Sequence, residues 1–230
     1  LDGMKKLVES CSEKFDALND LKVLDIGCND GSLLDFFAER GATTLGIEPT
    51  KAYLDAQNKG HKVYNDFLSE TIAENILSVH GKPDIITFTN VFAHIENLNE
   101  VLCCVKTLLS ENTLLVIENH YLGSVLEENQ FDTFYHEHPR TYSFTSFTFM
   151  AKTLQIPIFS VEFPSRYGGN IRVFLGNPKR TLTQQKLNLE ELKIRENDFS
   201  IEFQRLNANV KKWKVLKSKS LQIEVEKYGK

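Results

Sequence analysis

The sequence lacks the features that would place it in several specialised classes of protein. It has no apolar run near the ~18 residues that a membrane-spanning helix needs, and no recognisable signal peptide. Its few cysteines, Cys11, Cys28, Cys103 and Cys104, show neither a paired CxxC spacing nor a disulfide framework, so we expect reduced thiols and a cytoplasmic protein. The net charge is −4, without the basic surplus of a nucleic-acid-binding protein. We therefore expect neither a membrane nor a nucleic acid as a partner.

What is present is an ordinary globular composition, 41% hydrophobic and 25% charged in 230 residues. In the first half, short apolar runs typical of buried parallel strands alternate with stretches whose apolar residues recur at helical spacing. The predicted strands cover residues 21–27, 43–48, 61–66, 84–90 and 113–119, and the helices cover 32–40, 51–60, 69–81 and 98–110. This alternation predicts an α/β fold with a doubly wound sheet.

The pattern changes after residue 145, which divides the chain into predicted domains 1–145 and 146–230. Residues 144–155 favour a helix, and residues 158–164 and 170–176 favour two strands around Gly168 and Gly169. A long amphipathic helix over 197–218 is predicted from apolar residues three and four apart, namely Phe199, Phe203, Leu206, Val210 and Trp213. The segment LQIEVEK, residues 221–227, alternates like a strand. We interpret this region as a partial α/β extension whose long helix packs on the sheet domain or forms a homodimer contact.

The stretch VLDIGCNDGSLL, residues 23–34, combines a strand, a glycine turn and a helix start. Ligands bind such sheets at the carboxyl ends of strands, where the first turn lets a cofactor approach the backbone. Gly27 and Gly31 bracket the turn, and Asn29 between them tolerates left-handed backbone angles. Dinucleotide-binding proteins begin in the same way, so the turn alone does not identify the ligand.

Acidic residues around this turn favour a cationic ligand over a diphosphate. Asp30 stands at the helix start, where a pyrophosphate would need bare amide groups, and Asp25 precedes the turn. An NAD-dependent enzyme is therefore disfavoured. Glu48 ends the second strand, where it can accept hydrogen bonds from ribose hydroxyls, and Asp66 with Phe67 ends the third, where they suit an adenine. Alternatively, these acids cap helices, as Asp and Glu often do.

This set resembles the cofactor pattern of class I S-adenosylmethionine (SAM) methyltransferases, which have a Rossmann-like sheet. The resemblance implies SAM as cofactor, with S-adenosylhomocysteine as its product. It also implies that Asn90, at the end of the fourth strand, holds the methionine part through its backbone. The cofactor-binding positions that it implies are Asp25, Gly27, Asn29, Gly31, Glu48, Asp66, Phe67 and Asn90.

The segment FDTFYHEHPRTYS, residues 131–143, places His136 and His138 on either side of Glu137. A metal site would need awkward geometry from adjacent ligands, and no HxxxH or HExxH spacing occurs, so we predict no metal. A polar loop with satisfied histidines remains an alternative. Acid–base chemistry is favoured, because a histidine near its reference pKa of ~6.5 can transfer protons at neutral pH.

FDTFYHEH, with IENHYLGSVLEENQ before it and RYGGNIRVF after it, looks like the sugar C-methyltransferase family over about residues 21–175. Those enzymes methylate a carbon of a nucleotide-linked keto-deoxysugar, typically C3 beside a C4 ketone. The resemblance implies that Tyr135, Glu137 and His138 lie in a catalytic loop and that His94 is a further active-site residue. His138 would be the base, and Tyr135 and His94 would stabilise the enolate oxygen.

The chain departs from that family in ways that leave alternatives open. The family's N-terminal zinc module is not seen, and LQIEVEKYGK resembles only the first strand of its C-terminal nucleotide-binding domain, so we expect either a fragment or sugar recognition with less protein. Tyr167 stands where a histidine often precedes the two glycines. Tyr142, Asn170 and Arg172 are predicted substrate contacts, although a purely structural strand would explain the last two equally well. The alternatives are O-methylation of a sugar or polysaccharide precursor and a non-catalytic SAM- or nucleotide-binding subunit.

Overall fold

The computed structural model describes residues 1–15, 17–177 and 189–229. The helices are α1 (Asp2–Phe15), α2 (Ser32–Ala38), α3 (Tyr53–Asn58), α4 (Glu70–His80), α5 (Leu98–Leu108), α6 (Leu122–Glu127), α7 (Phe144–Leu154), α8 (Leu189–Asn197) and α9 (Phe199–Tyr228). The strands are β1 (Lys22–Ile26), β2 (Thr43–Ile47), β3 (Lys62–Tyr64), β4 (Ile85–Thr89), β5 (Leu114–His120), β6 (Ile158–Glu162) and β7 (Asn170–Leu175). Short 3₁₀ segments cover Phe92–His94, Phe131–Thr133 and Arg166–Gly168.

The strands form one sheet in the order β3-β2-β1-β4-β5-β7-β6. β1 to β5 are parallel, and β7 runs antiparallel between β5 and β6. The strand order switches direction between β1 and β4, the place where doubly wound sheets bind ligands beyond the carboxyl ends of their strands. The predicted doubly wound α/β fold is confirmed.

Helices cover both faces of the sheet, which explains why its central strands read as continuous apolar runs. On one face, β-strand residues such as Phe88 and Ile117 pack with residues of α4, α5 and α7. On the other face, Val23 and Val116 pack with residues of α1, α2 and α3. The helices on the first face begin at side chains that accept an N–H three residues on, namely Ser69, Asn97 and Ser143.

The strands after residue 145 complete this same sheet. β7 pairs with β5 along six residues, from Leu115 opposite Leu175 to His120 opposite Asn170. The predicted boundary at 145/146 therefore does not separate two sheets. This antiparallel pairing depends on contacts between segments more than 50 residues apart, which periodicity in the sequence does not report.

The predicted strand at residues 221–227 is wrong, because α9 continues to Tyr228. Leu221 and Val225 are four residues apart, so the same residues that alternate as a strand also share one side of a helix. Among the described residues no strand pairs with this segment, and its Lys, Glu and Gln content favours a helix. The predicted long helix thus begins at residue 199 and ends ten residues later than expected. The homodimer contact through it remains a prediction.

Three further helices, α1, α6 and α8, were not predicted. Leu7 and Cys11 of α1 are buried and lie four residues apart, with Met4 and Phe15 packed beside them, so helical spacing was present in the sequence. None of the described helices is both long enough and apolar enough to cross a membrane.

Candidate active site

A cavity of about 960 Å³ lies beyond the carboxyl ends of β1, β2 and β4. Its volume falls within the range of ~300–1,000 Å³ that small-molecule sites occupy. His94 and Tyr167 also line it. The predicted cofactor residues that line it are Asp25, Gly27, Asn29, Glu48, Asp66, Phe67 and Asn90.

The glycine turn at the end of β1 requires its small residues. Gly27, Asn29 and Gly31 all have positive φ angles, of 75°, 52° and 76°. A Cβ on Gly27 would lie 2.4 Å from Cγ2 of Val91, so only glycine lets the turn approach the chain after β4. Gly31 does not line the cavity, because the space beside it is filled by Ala56 and His61. Its role in the fold is the close packing of α2.

Glu48 presents a fixed carboxylate to the cavity. The residue is 6% exposed; Oε2 accepts an N–H from Asn29 at 2.9 Å and Oε1 accepts one from Thr50 at 2.8 Å. Each carboxylate oxygen has a second lone pair for a ligand hydroxyl. Farther along the same wall, Asp66 accepts the N–H of Phe67, whose ring is 73% exposed and free to cover a flat ligand.

The two other acids are less able to attract a cation than the sequence suggested. Asp25 is 3% exposed, and burial raises its pKa to about 7 although the Thr87 hydroxyl donates to it at 2.6 Å. For Asp30, partial burial acts to raise the pKa, but hydrogen bonds from Ser32 and the Lys59 ammonium lower it overall. Asp30 thus accepts hydrogen bonds from Ser32, the first residue of α2, and pairs with Lys59, which resembles the helix-capping alternative although Gly31 is the N-cap residue.

Asn90 joins the cavity to a buried polar cluster. Its φ of 58° lies in the left-handed region, which asparagine tolerates. Its N–H donates to the carbonyl of Glu118 at 2.7 Å, and its Oδ1 accepts from Asn170 Nδ2 at 3.3 Å. These contacts fix the backbone of β4 where it reaches the ligand space.

The histidine loop, residues 131–143, brings predicted catalytic residues together. The Tyr135 hydroxyl lies 3.0 Å from Nε2 of His138, and the ring centroids of His138 and His94 are 4.7 Å apart. Nδ1 of His94 hydrogen-bonds the carbonyl of Glu137 at 2.8 Å. Because His94 also lines the cavity, this bond ties the loop to the ligand space.

Glu137 contributes its backbone to this arrangement. Its carboxylate is 63% exposed and lies 3.8 Å from Nε2 of His136, whose side chain is 89% exposed. The carbonyl of Glu137 is the group that meets His94. The Glu137 side chain acts on His138 through its negative charge, which raises the pKa of that imidazole.

His120 is a functional candidate to which the sequence analysis assigned no catalytic role. It ends β5, and its ring centroid lies 5.8 Å from that of His138 and 6.1 Å from that of Tyr167. Its position at the carboxyl end of a central strand could have identified it. Among the described residues, no group of three or more His, Cys, Asp and Glu side chains could hold a metal ion.

Burial and neighbouring imidazoles lower the pKa values of His138 and His120 and so favour their neutral forms. The pKa of His138 is lowered first by burial and then by His94, against smaller opposing effects of Thr133 and Glu137. The pKa of His120 is lowered first by burial and then by His138. A neutral imidazole at neutral pH can accept a proton, which is the requirement for a base.

The predicted substrate contacts of Tyr142 and Arg172 are contradicted by their burial. Tyr142 is 3% exposed; its hydroxyl donates to the Phe92 carbonyl at 3.0 Å, and burial raises its pKa to about 12. Arg172 is 2% exposed and donates to Glu118 at 2.7 Å and to Glu162 at 2.8 Å. Tyr142 therefore holds the segment that carries His94, and Arg172 neutralises buried carboxylates.

Asn170 is also fully buried and cannot meet a substrate directly. Its Nδ2 donates to Glu118 at 2.9 Å and to Asn90 at 3.3 Å. Its Oδ1 is buried without a hydrogen-bond partner in the part of the chain that the structure describes. Asn170 thus supports Asn90 from behind.

Comparison with known proteins agrees with this architecture. The sequence profile described as a methyltransferase domain matches residues 2–155. The C-methyltransferase NovU of Streptomyces niveus is 30% identical over 175 residues, covering 76% of this chain and 42% of NovU. A ubiquinone biosynthesis O-methyltransferase of Escherichia coli O127:H6 is 33% identical over 95 residues, 39% of each chain. The chain spans about two fifths of the length of these relatives.

Among solved structures, the magnesium protoporphyrin IX methyltransferase ChlM of Synechocystis PCC 6803 has the same fold. It matches with a TM-score of 0.58 at 16% identity, over 76% of this chain and 82% of ChlM. The α/β sheet described above is thus the Rossmann-like methyltransferase fold. Because the methyltransferase-domain profile matches more than half of the sequence, the chain belongs to the methyltransferase-domain family.

Proposed function

We propose that this chain is a SAM-dependent methyltransferase that transfers a methyl group to a carbon of a nucleotide-linked keto-deoxysugar. The observation that carries the proposal is the pairing of Tyr135 with His138 at 3.0 Å, beside a histidine that lines the ligand cavity. The similarity to a C-methyltransferase over 76% of the chain supports it. A carbon acceptor needs a base and an oxyanion donor together, whereas an oxygen acceptor needs a base and positioning.

The residues around the cavity fit SAM. The Glu48 carboxylate suits the ribose hydroxyls, Asp66 and Phe67 suit the adenine, and the turn at Gly27 lets the ligand approach the backbone. The buried Oγ1 of Thr89, also on the cavity wall, has no protein partner among the described residues. When bound, SAM supplies a methyl group activated by a positively charged sulfur.

His138 acts as the base. A hydrogen bond to the backbone of Thr133 favours the protonated form of His138 by raising its pKa, and Nε2 of the imidazole faces the Tyr135 hydroxyl. Nε2 is thus the nitrogen that removes the proton from the carbon beside the ketone. The electron pair of the C–H bond would form the C=C bond of an enolate while the C=O π pair moves onto the oxygen. As the ketone re-forms, that carbon would bond to the methyl group, whose bond to sulfur would break to leave S-adenosylhomocysteine, and the proton would pass from His138 to solvent.

Tyr135 and His94 would hold the developing negative charge on the oxygen, His94 as an imidazolium that donates from Nε2, because its Nδ1 already donates to the Glu137 carbonyl. Donors of this kind are each worth about 3 kcal/mol in the transition state. Positioning contributes as well, because the nucleophilic carbon and the methyl group must be held at roughly 3 Å. The bond from His94 to the loop backbone supplies part of that positioning.

Deuterium exchange tests the proposal. A nucleotide-linked 4-keto-6-deoxysugar is incubated with the protein and SAM in deuterated water, and deuterium and methyl at C3 are followed by NMR. His138→Gln should slow both exchange and methylation by roughly 10²–10⁴-fold. His136→Gln is the matched control, since it changes an 89% exposed imidazole two residues away and should leave both rates unchanged.

Methyl transfer without exchange would contradict the carbon route and favour an oxygen acceptor, the activity named in the E. coli relative. Binding of S-adenosylhomocysteine without turnover of any sugar would instead favour a non-catalytic subunit.

A further inference from the structure

Arg166 lies in the 3₁₀ turn between β6 and β7 and reaches into the cavity. Its side chain is 19% exposed. The position of the side chain is constrained by α1, because a Cβ on Gly3 would lie 2.1 Å from Cδ of Arg166. Arg166 therefore packs closely against the first turn of α1.

Arg166 differs in the sign of its charge from the acidic residues that line this cavity. Among the described residues that line the cavity, Arg166 is the single Lys or Arg. The acidic lining residues are Asp25, Asp30, Glu48, Asp66, Glu96 and Glu100. A ligand anion placed anywhere else in this cavity would meet carboxylates or neutral groups.

Behind Arg166 lies a buried ion cluster with an uneven charge balance. The carboxylate of Glu118, which is fully buried, accepts from Arg172 at 2.7 Å and lies 3.4 Å from Nη1 of Arg166. Glu162 pairs with Arg172 at 2.8 Å and with Lys14 at 3.4 Å. Three cations therefore share two carboxylates, which leaves one positive charge in excess.

Arg166 has donors to spare for a ligand. Nη1 faces Glu118 at 3.4 Å and Nη2 faces the Tyr167 hydroxyl at 3.4 Å, both long contacts. A guanidinium carries five N–H groups in a planar fork that matches a carboxylate with two parallel hydrogen bonds.

The neighbours of Arg166 locate it relative to the proposed cofactor. Asn170 Nδ2 donates both to Glu118 Oε1, the oxygen next to Arg166, and to Asn90 Oδ1. Arg166 therefore lies on the Asn90 side of the cavity, away from the β2 and β3 ends that carry Glu48 and Asp66. With the adenosine at Glu48, the amino-acid part of SAM extends toward Asn90.

We infer that Arg166 binds the α-carboxylate of the cofactor's methionine part. This assignment rests on SAM as the cofactor but not on the identity of the methyl acceptor. A phosphate of the sugar nucleotide has similar chemistry, and the test separates the two anions.

Binding of SAM and of decarboxylated SAM, which keeps the amine and the sulfonium, is measured by calorimetry on the wild type, Arg166→Gln and Arg166→Lys. The wild type should prefer SAM by roughly 10- to 100-fold, the value of charge-assisted hydrogen bonds. Arg166→Gln should abolish the preference by weakening SAM alone, and Arg166→Lys should keep part of it. Arg40→Gln is the matched control, because it removes an exposed arginine of the surface and should retain the full preference.

Three results would overturn the assignment: no preference in the wild type, a preference retained in Arg166→Gln, or equal weakening of both ligands. A raised KM for the sugar nucleotide with unchanged SAM affinity would assign the guanidinium to the substrate phosphate instead. An acceptor other than a sugar carbon would leave the binding pattern intact, so failure of the proposed reaction is distinguishable from failure of this assignment.

Discussion

The proposed cofactor end of the cavity, at Glu48, and the histidine loop differ in how firmly their side chains are held. Glu48 is 6% exposed, and both its carboxylate oxygens accept backbone N–H groups. Tyr135 of the loop is 43% exposed, and its hydroxyl contacts one imidazole, that of His138. The cofactor end is built from turns that directly follow strands of the sheet. The loop depends on contacts with other segments, including the bond to His94 and aromatic contacts with α9, such as that of Phe131 with Trp213 at 5.1 Å. Cofactor binding and the proposed chemistry thus depend on different contacts, and we expect that each can be perturbed without the other.

The largest effect is expected at the loop. Tyr135→Phe removes the hydroxyl that orients His138 and, in the proposed reaction, stabilises the enolate oxygen. We expect kcat to fall by roughly 10²-fold, the lower part of the range for an oxyanion donor because the site is partly exposed. Affinity for S-adenosylhomocysteine should change by less than about twofold, because the residue does not line the cofactor cavity.

Steady-state kinetics and calorimetry on the same preparation check this expectation. Tyr228→Phe, at a 67% exposed position near the end of α9, is the control and should behave as the wild type. A loss of cofactor affinity as large as the loss of kcat would contradict the separation of binding from chemistry, since the cofactor end and the histidine loop would then be coupled.

Glu48→Gln should weaken cofactor binding and leave kcat little changed, which is the reverse of the result expected for Tyr135→Phe, and its effect should be smaller. Glu48 accepts two N–H groups with its two oxygens, and an amide can offer an oxygen to one of them only. We expect S-adenosylhomocysteine to bind roughly 10- to 100-fold more weakly through lost hydrogen bonds to a charged group, with kcat at saturating SAM little changed. Glu39→Gln, at an exposed position after α2, controls for loss of charge; a lowered kcat with normal affinity would contradict the assignment.

The same contrast explains what could be predicted from the sequence. Gly27, Glu48 and Asp66 each end a predicted strand, and Asn29 follows one by two residues, so the strand pattern alone predicted that they lie at one edge of the sheet. The resemblance carried by FDTFYHEH implied that Tyr135 and His138 share one catalytic loop, and the structure places their side chains 3.0 Å apart.

Residues whose role depends on distant segments were misread or missed. Arg172 looked like a substrate contact because its partner Glu118 is 54 residues away and β7 pairs with β5 only in the folded sheet. His120 and Arg166 reach the cavity region from the end of β5 and from the β6–β7 turn, positions set by strand order and not by local pattern. The attraction of Asp30 for a cationic ligand was overestimated, because Lys59 offsets its charge and Ser32 already donates hydrogen bonds to its carboxylate.

The smallest expected effect is a shift in the pH dependence of exchange. The base must be neutral, so activity should fall as the pH drops through the pKa of His138, which lies below the ordinary value of 6.5 for an imidazole. The acid limb should therefore have its midpoint below 6.5. Burial is the main cause and His94 the next, while Glu137 opposes them. His94→Gln should consequently move the midpoint up, toward the value of a free imidazole, even though it also slows the reaction.

Glu137→Gln should move the same midpoint down, because it removes a charge that favours the imidazolium. Exchange rates measured from pH 5 to 8 for the wild type and both variants report the direction independently of the absolute rate. Opposite shifts would show that the pKa of His138 is lowered by His94 on the cavity wall and raised by Glu137 on the loop. Shifts in the same direction, or an unchanged limb in both variants, would mean that the limb belongs to another group, with His120 as the next candidate because its pKa is also lowered by burial and by His138.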